Sequence, residues 1–348
     1  MALISIEELE RVSPLFRGKC GNAFARRVLH LLKLDAIEEL NERCSIHKGA
    51  EFARAVIEAV GATYSVNGLP RDEALEKFRI PEGPFITISN HPIGSLDGLA
   101  LIDFIGHLRD DYKFMVNELL SRFEALRGSL ISVNPNGKLL SAPTATSISG
   151  VRQAKLHLEA GGCLGLFPSG AVSDLKLGPR PAVPGAGVPG PGASGAGRVV
   201  PGPGASGAGP AASEAGPAIP GPGVPGAGPA IPGPAPAPVI PGQTGNPPHT
   251  EPRVRDREWQ TGIIKFIRNA GVPVLPIRLL DGNSAFYYNL GLIDWRVRLL
   301  RLPSEMLNKN GKTLRFITGP IIDAARISSF PDLDSLRQAL RASVYSLG

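Results

Sequence analysis

The chain has 348 residues with 37 Lys and Arg against 31 Asp and Glu, a formal charge of +6. Aromatic residues do not interleave with the basic ones, which leaves nucleic-acid binding without support, and no run reaches ~18 apolar residues, which argues against a spanning helix. The three cysteines, Cys20, Cys44 and Cys163, show no metal-ligand pairing and read as free thiols of a reducing compartment. The amino-terminal stretch MALISIEELERV is acidic early and lacks the basic-then-apolar layout of a secretion signal. The chain is therefore expected in the cytoplasm, and its modest positive excess permits peripheral contact with an anionic partner such as the inner face of the cytoplasmic membrane.

In chain order, residues 1–80 read as a helical region. Phe24, Val28, Leu31 and Leu32 recur at helical spacing with Arg26, Arg27 and Lys33 between them, so this helix is a candidate for lying on a lipid surface as well as for packing on a core. A second helix is expected over Gly49–Val60, with Phe52, Val56, Ala59 and Val60 on one side. After Pro81-Glu82-Gly83-Pro84 the run Phe85–Ile88 reads as a short buried strand, which feeds into Asn90-His91-Pro92 and a helix over Leu96–Leu108. A strand at Ser129–Val133, a helix at Ile148–Ala160 stopped by Gly161-Gly162, and a strand at Cys163–Phe167 stopped by Pro168 follow. Later, Asp256 reads as the cap of a helix carrying Ile263, Ile264, Phe266 and Ile267, Gly271 ends it, and Val272–Leu279 continues as a strand. Thr313–Thr318 is a further strand and Leu333–Leu347 a final helix. Strands alternating with helices predict an α/β fold with a mixed, largely parallel sheet flanked by helices.

One segment departs from all this. Between Pro179 and Pro248 lie 70 residues, 18 of them Gly and 20 Pro, with Arg180, Arg198 and Glu214 the only charges. VPGPGASGAG starts at Val188 and again at Val200, and GPAIPGP at Gly216 and again at Gly228. Gly does not fall at every third position, so a collagen triple helix is excluded, and the VPGAG and VPGPG units resemble elastin-like repeats that favour type II turns. Such a composition cannot bury enough surface to fold, so residues 179–248 are expected to be a disordered low-complexity insert in a domain formed by 81–178 and 249–348. Loop closure across it costs little more than across a shorter loop.

Of six histidines, His30, His47, His107 and His157 fall in expected helices and His249 at the insert border, where surface or packing roles suffice. His91 follows a buried strand in a tight Asn-His-Pro-Ile-Gly turn, with Asp97 six residues on, and strand ends are where α/β sheets present reactive groups. An alcohol attacks well at neutral pH only if a base takes its proton. Imidazole suits that task, and a carboxylate on its other nitrogen fixes the tautomer and stabilises the imidazolium. By spacing alone the pair has little specificity, and a histidine satisfied by a helix cap is an equal reading. Other templates fail. Phe167 stands where a Gly-x-Ser-x-Gly elbow at Ser169 needs glycine, Met306 stands where a phosphate loop ending in Gly311-Lys312-Thr313 needs glycine, and there is no zinc-type His/Cys/Glu cluster.

The order of blocks carries more. Ser89-Asn90-His91-Pro92-Ile93-Gly94-Ser95-Leu96-Asp97-Gly98 resembles the first motif of the PlsC-type (glycerolipid) acyltransferases, with the five-residue gap of the branch holding ornithine- and glycine-lipid O-acyltransferases and hemolysin-like proteins. Gly165–Ser173, containing Phe167-Pro168-Ser169-Gly170, is similar to the third motif, Val272–Ile277 to the proline-bounded fourth, and Gly128–Pro135 occupies the place of the second. The resemblance covers roughly 20–178 and 250–345. It implies a PlsC-like sandwich in which His91 deprotonates an acceptor hydroxyl and Asp97 holds the ring, with Asn90, Gly94, Phe167, Pro168, Ser169, Gly170 and Pro276 around the substrate. Backbone N–H groups near Gly170 would stabilise the oxyanion. The implied donor is acyl carrier protein or CoA thioester and the implied acceptor a lyso-lipid at a membrane surface. Neither a metal nor a bound organic cofactor is implied. Ser169 stands where the phosphate-handling branch has Glu, and Asn134 where it has a phosphate-binding Arg, which turns the expectation from lysophosphatidate toward a zwitterionic lyso-aminolipid. A catalytically silent lipid- or partner-binding protein that keeps the fold is the alternative. A chloramphenicol-acetyltransferase-like enzyme has the wrong His–Asp gap.

Overall fold

The computed structural model describes residues 17–31, 33–117, 123–133, 145–176, 253–293, 298–299 and 301–348. All belong to one compact unit formed by Met1–Arg180 and Pro247–Gly348; the second unit, Pro181–Asn246, and with it nearly all of the expected insert, lies outside the described residues. So do His249, Asn134, Pro135 and the side chains of Phe24, Val28, Leu31 and Leu32.

Among the described residues the first elements are the helices α1 (Gly18–Leu31), α2 (Leu34–Cys44) and α3 (Gly49–Ala59). In α3 the apolar residues Phe52, Ala53, Val56 and Ile57 fall on one face and are buried; Ala59, expected on that face, is exposed. Strands β1 (Thr63–Val66) and β2 (Leu69–Pro70) then appear inside the stretch read as helical. Tyr64 and Val66 point inward and Thr63 outward, the period of a strand, and Asn67-Gly68, both at positive φ, supply the tight hairpin turn. Next come α4 (Arg71–Lys77), β3 (Ile86–Ser89), α5 (Ser95–Leu108), β4 (Lys113–Asn117), a 3-10 turn at Glu124–Ser129, β5 (Leu130–Val133), α6 (Ala145–Glu159) and β6 (Leu164–Leu166). The remainder runs β7 (Asp174–Lys176), β8 (Arg253–Arg255), α7 (Thr261–Ala270), β9 (Val274–Leu279), α8 (Ala285–Ile293), α9 (Leu302–Leu307), β10 (Thr313–Thr318), α10 (Ala324–Ser328) and α11 (Leu333–Tyr345).

Eight strands form one sheet in the order β2-β1-β10-β9-β3-β6-β4-β5. From β9 to β5 every neighbouring pair is parallel, while β10 turns antiparallel to β9. The fold is thus the mixed, largely parallel α/β sandwich that the sequence predicts. Strand β3 lies inside the sheet and is buried on both faces, as a parallel strand between helical layers must be. One face packs Leu275 and Ile277 of β9 against α2, α3 and α5, among them Phe52, Val56, Leu101 and Phe104. The other packs Ile86, Ile88 and Leu166 against α6, α7 and α11, including Ile264, Ile267, Leu336 and Leu340. The chain leaves β3 through α5 toward one edge and returns from β6 through α7 to β9 on the other side of β3. By the rule for open α/β sheets, that reversal makes the carboxyl ends of β3 and β6 the place for a ligand crevice.

A separate two-stranded ribbon pairs β7 with β8, with Lys176 opposite Arg253. It places Lys176 and Arg253, which flank the segment 177–252, side by side. Among the described residues no helix is long and apolar enough to cross a membrane.

Candidate active site

The chain emerging from β3 is fixed at once by Asn90. Its side-chain amide donates to the Leu279 carbonyl and accepts from the Leu279 N–H, both at 2.8 Å, which locks the end of β3 to the end of β9. Asn90 is buried and both its polar ends are taken by backbone. His91 comes next, half-buried, its Nδ1 3.0 Å from Asp97 Oδ2.

Asp97 occupies the first turn of α5 and is fully buried. Its Oδ2 also accepts the N–H groups of Ile93 (2.8 Å) and Gly94 (3.0 Å), so one oxygen caps the helix and meets the imidazole. A carboxylate only accepts, which places the ring proton on Nδ1 and leaves Nε2 as the acceptor. Gly94 enters α5 at φ 112°, a conformation open to glycine, and a Cβ there would stand 2.9 Å from Leu302 Cδ2.

Phe167, at the end of β6, stacks on the His91 ring with centroids 3.8 Å apart and planes 19° from parallel. Behind it Phe114 lies 4.7 Å away, followed by Tyr112, whose hydroxyl is 2.7 Å from Thr87 Oγ1. Gly165 makes this close aromatic stack possible, because a Cβ there would meet the Tyr112 hydroxyl at 2.2 Å. Pro168 and Ser169 are buried in the turn after β6. The Pro168 carbonyl accepts the Gln260 N–H at 2.9 Å and Ser169 Oγ donates to the Ala171 carbonyl at 2.8 Å. Gly170 is exposed at φ 64°, and its N–H donates to the Phe167 carbonyl at 2.9 Å. The expected oxyanion donors are N–H groups near Gly170, and the Gly170 N–H itself is used inside its own turn. Pro276 is buried within β9, in register with Ile88 three residues before His91, and its carbonyl accepts the Gly319 N–H.

Further groups hold the His91 turn that sequence reasoning did not find. Asp256, read as the cap of α7, does not cap it. The helix starts at Thr261 behind Gln260, and the Asp256 side chain turns to the His91 peptide instead. Its Oδ1 accepts the His91 N–H (3.1 Å) and the Ser173 hydroxyl (2.5 Å), and its Oδ2 the Trp259 indole N–H (3.1 Å). Burial pushes the Asp256 carboxyl up, while the Ser173, His91 and Trp259 donors pull it back. The Ser173 N–H donates to the His91 carbonyl at 2.8 Å. From α8 and the loop before it, the Tyr288 hydroxyl donates to the Pro92 carbonyl (2.9 Å) and the Asn283 amide to the Ile93 carbonyl (2.8 Å). Buried Glu305 steadies that loop by accepting the Ser284 N–H and hydroxyl. Burial raises the Tyr287 phenol to about 12 beside the buried Arg298 guanidinium. Among the described residues no group of three or more His, Cys, Asp or Glu converges as metal ligands.

Residues 11–179 match a family model described as acyltransferase. The lyso-glycine lipid O-acyltransferase of Bacteroides thetaiotaomicron is 33% identical over 140 residues, 39% of this chain and 48% of that protein. The protein of the same name from Phocaeicola vulgatus is 29% identical over 140 residues, 38% of this chain and 47% of its own length. The chain thus spans about half the length of these curated relatives. A solved structure, the 1-acyl-sn-glycerophosphate acyltransferase PlsC of Thermotoga maritima, aligns over 93% of this chain and 86% of that one with a TM-score of 0.39 and 12% identity.

Proposed function

Because residues 11–179 match a family model described as acyltransferase, we propose that this chain transfers a fatty acyl group from a thioester to the hydroxyl of a lyso-lipid with His91 as general base. The observation that carries this reading is the His91–Asp97 contact at 3.0 Å on a turn clamped from four sides. Nε2 takes the proton of the acceptor hydroxyl as its oxygen attacks the thioester carbonyl carbon. The tetrahedral intermediate then expels the thiolate, which recovers the proton from the imidazolium. Asp97 keeps the ring in the required tautomer and offsets the charge it gains. No acyl-enzyme is needed. With the Gly170 N–H engaged, the oxyanion donor is another N–H of the turn after β6 or the donor's own surroundings.

The acceptor we favour is a lyso-aminolipid. Ser169 and Asn134 stand where phosphate-handling sequences place Glu and Arg, and the two curated relatives are named for lyso-glycine lipid. The donor is acyl carrier protein or CoA thioester. A lipid acceptor requires the crevice to meet a membrane surface, here the inner face of the cytoplasmic membrane. Helix α8, whose Tyr288 holds the turn, exposes Phe286 and Leu292, and the Arg301 guanidinium lies 5.0 Å above the Phe286 ring. Exposed apolar side chains beside a cation suit that contact. Initial rates on vesicle-borne lyso-glycine lipid, lyso-ornithine lipid and lysophosphatidate, each with acyl carrier protein and CoA donors, test the reading. A clear preference for lysophosphatidate would overturn the acceptor assignment, and no transfer to any of them would overturn the activity.

A further inference from the structure

Two carboxylates, not one, reach His91. On the reading of His91 as a general base, we propose that Asp256 is a second positioning carboxylate, acting on the base through its peptide N–H while Asp97 acts through its ring. Asp256 is 1% exposed and lies 165 residues from His91 in sequence. Three groups point hydrogens at it, the His91 N–H and Ser173 hydroxyl at Oδ1 and the Trp259 indole N–H at Oδ2. Two of these can only donate, so the arrangement fits an anion and leaves a protonated carboxyl with Ser173 as its sole acceptor. Burial, the largest influence, pushes the carboxyl up, and the three donors pull against it.

The grip is two-sided. Ser173 donates its hydroxyl to Asp256 and its N–H to the His91 carbonyl, so both polar atoms of the His91 main chain are held by one connected pair. That pair sits at the two feet of the β7–β8 ribbon, and the Asp256 N–H is itself held by the Tyr345 hydroxyl of α11 at 2.9 Å. Rotation of the His91 peptide would swing its Cβ and spoil the 3.0 Å contact with Asp97. A buried negative charge beside the turn also favours the imidazolium that forms as the hydroxyl loses its proton.

Other charged and titratable groups around the turn and Asp256 are Asp97 from α5, the Tyr287 and Tyr288 phenols from α8, Glu305 from α9, the ion pair of Asp174 in β7 with Arg298, and the Arg341 guanidinium and Tyr345 phenol from α11. Phe167, from β6, contributes no charge. Asp174 is matched by Arg298 and Arg257, which leaves Asp97 and Asp256 as the carboxylates hydrogen-bonded to His91 itself.

The test uses the full chain and Asp256→Asn, with the His91 ring followed by NMR across pH and transfer rates measured in parallel. An asparagine oxygen can still accept from His91 and Ser173, but its amide nitrogen faces the indole N–H. The expected result is a His91 titration midpoint lower by roughly 0.5–1 pH, an acid limb of the rate profile displaced the same way, and kcat reduced ~10–100-fold with KM within ~3-fold. An unchanged midpoint and acid limb in a folded Asp256→Asn would overturn the proposal. If that variant does not fold, Ser173→Ala and Trp259→Phe each withdraw one donor and keep the charge. Each should lower kcat ~5–20-fold at constant KM, and wild-type kcat in both would refute it. The NMR arm needs no turnover, so a wild-type protein inactive on every acceptor would sink the function and leave this proposal decidable.

Discussion

Asp97→Asn separates the charge of the carboxylate from its hydrogen bonds. At 3.0 Å and an effective dielectric of about 20, a carboxylate and an imidazolium attract by about 5 kcal/mol. Spreading the charge over the ring and both oxygens lengthens the effective separation to ~4–5 Å and leaves about 3–4 kcal/mol. The imidazolium exists only once the acceptor has lost its proton, so this loss falls on kcat. Removing the charge and keeping the amide dipole should cost ~10²–10³ in rate. The amide oxygen can still serve the Ile93 and Gly94 N–H groups, so the turn should persist. The amide nitrogen would replace Oδ1, which is buried with no hydrogen-bond partner, at a cost of ~1–3 kcal/mol in stability. Initial rates with a saturating thioester and a lyso-lipid acceptor, beside thermal unfolding, measure both effects. A folded Asp97→Asn that keeps more than a tenth of the wild-type kcat would refute the electrostatic role.

Three further outcomes follow from the geometry. Gly94→Ala forces a Cβ onto a residue at φ 112° and should destabilise the fold by ~1–3 kcal/mol; because the strain is in the backbone, adding Leu302→Ala should not restore the melting temperature, and full rescue would show the clash alone matters. His107, bonded to Asp103 and also to Glu51, is pushed up to about 9 from 6.5. Its contribution is fully present below about pH 6.5 and lost as pH rises through about 9, on the order of 3 kcal/mol before solvent screening of the Glu51 side lowers it. The melting-temperature difference between wild type and His107→Gln should shrink over that window, and a constant difference would contradict it. Replacing residues 181–248 with a short Gly-Ser loop should keep the melting temperature within a few degrees, since β7 and β8 already place Lys176 opposite Arg253; loss of activity with the fold retained would show that the segment takes part in the reaction.

Much of this site is legible in one dimension because its chemistry is local. The His91–Asp97 pair spans six residues, and the strand ahead of it is a continuous apolar run ending in a turn. Strand β9 shows itself the same way, and β10 by the alternation of Leu314 and Phe316 with exposed Thr313 and Arg315. Strand β1 hides because Thr63-Tyr64-Ser65-Val66 offers only two buried positions, and α8 because AFYYNLGLI is apolar on both its inner and outer faces and shows no helical period. The support of the turn is unreadable for a different reason. Asn90 meets Leu279 across 189 residues, and Tyr288 meets Pro92 across 196. Asp256, just ahead of an apolar helix, satisfies every local sign of a cap, yet its hydrogen bond to His91 crosses 165 residues that include the Gly/Pro segment. Local pattern finds the base; the contacts that aim it appear only when the strand ends come together.

The central claim is that His91 removes the acceptor proton. Mass-spectrometric measurement of acyl transfer from a thioester to a lyso-lipid hydroxyl, by wild type and by His91→Ala at matched folded concentration, tests it most directly. We expect wild-type turnover and a loss of at least ~10³-fold in His91→Ala, with the fold retained because the turn is held through its backbone by Asp256, Ser173, Tyr288 and Asn283. A folded His91→Ala with wild-type turnover would contradict the account.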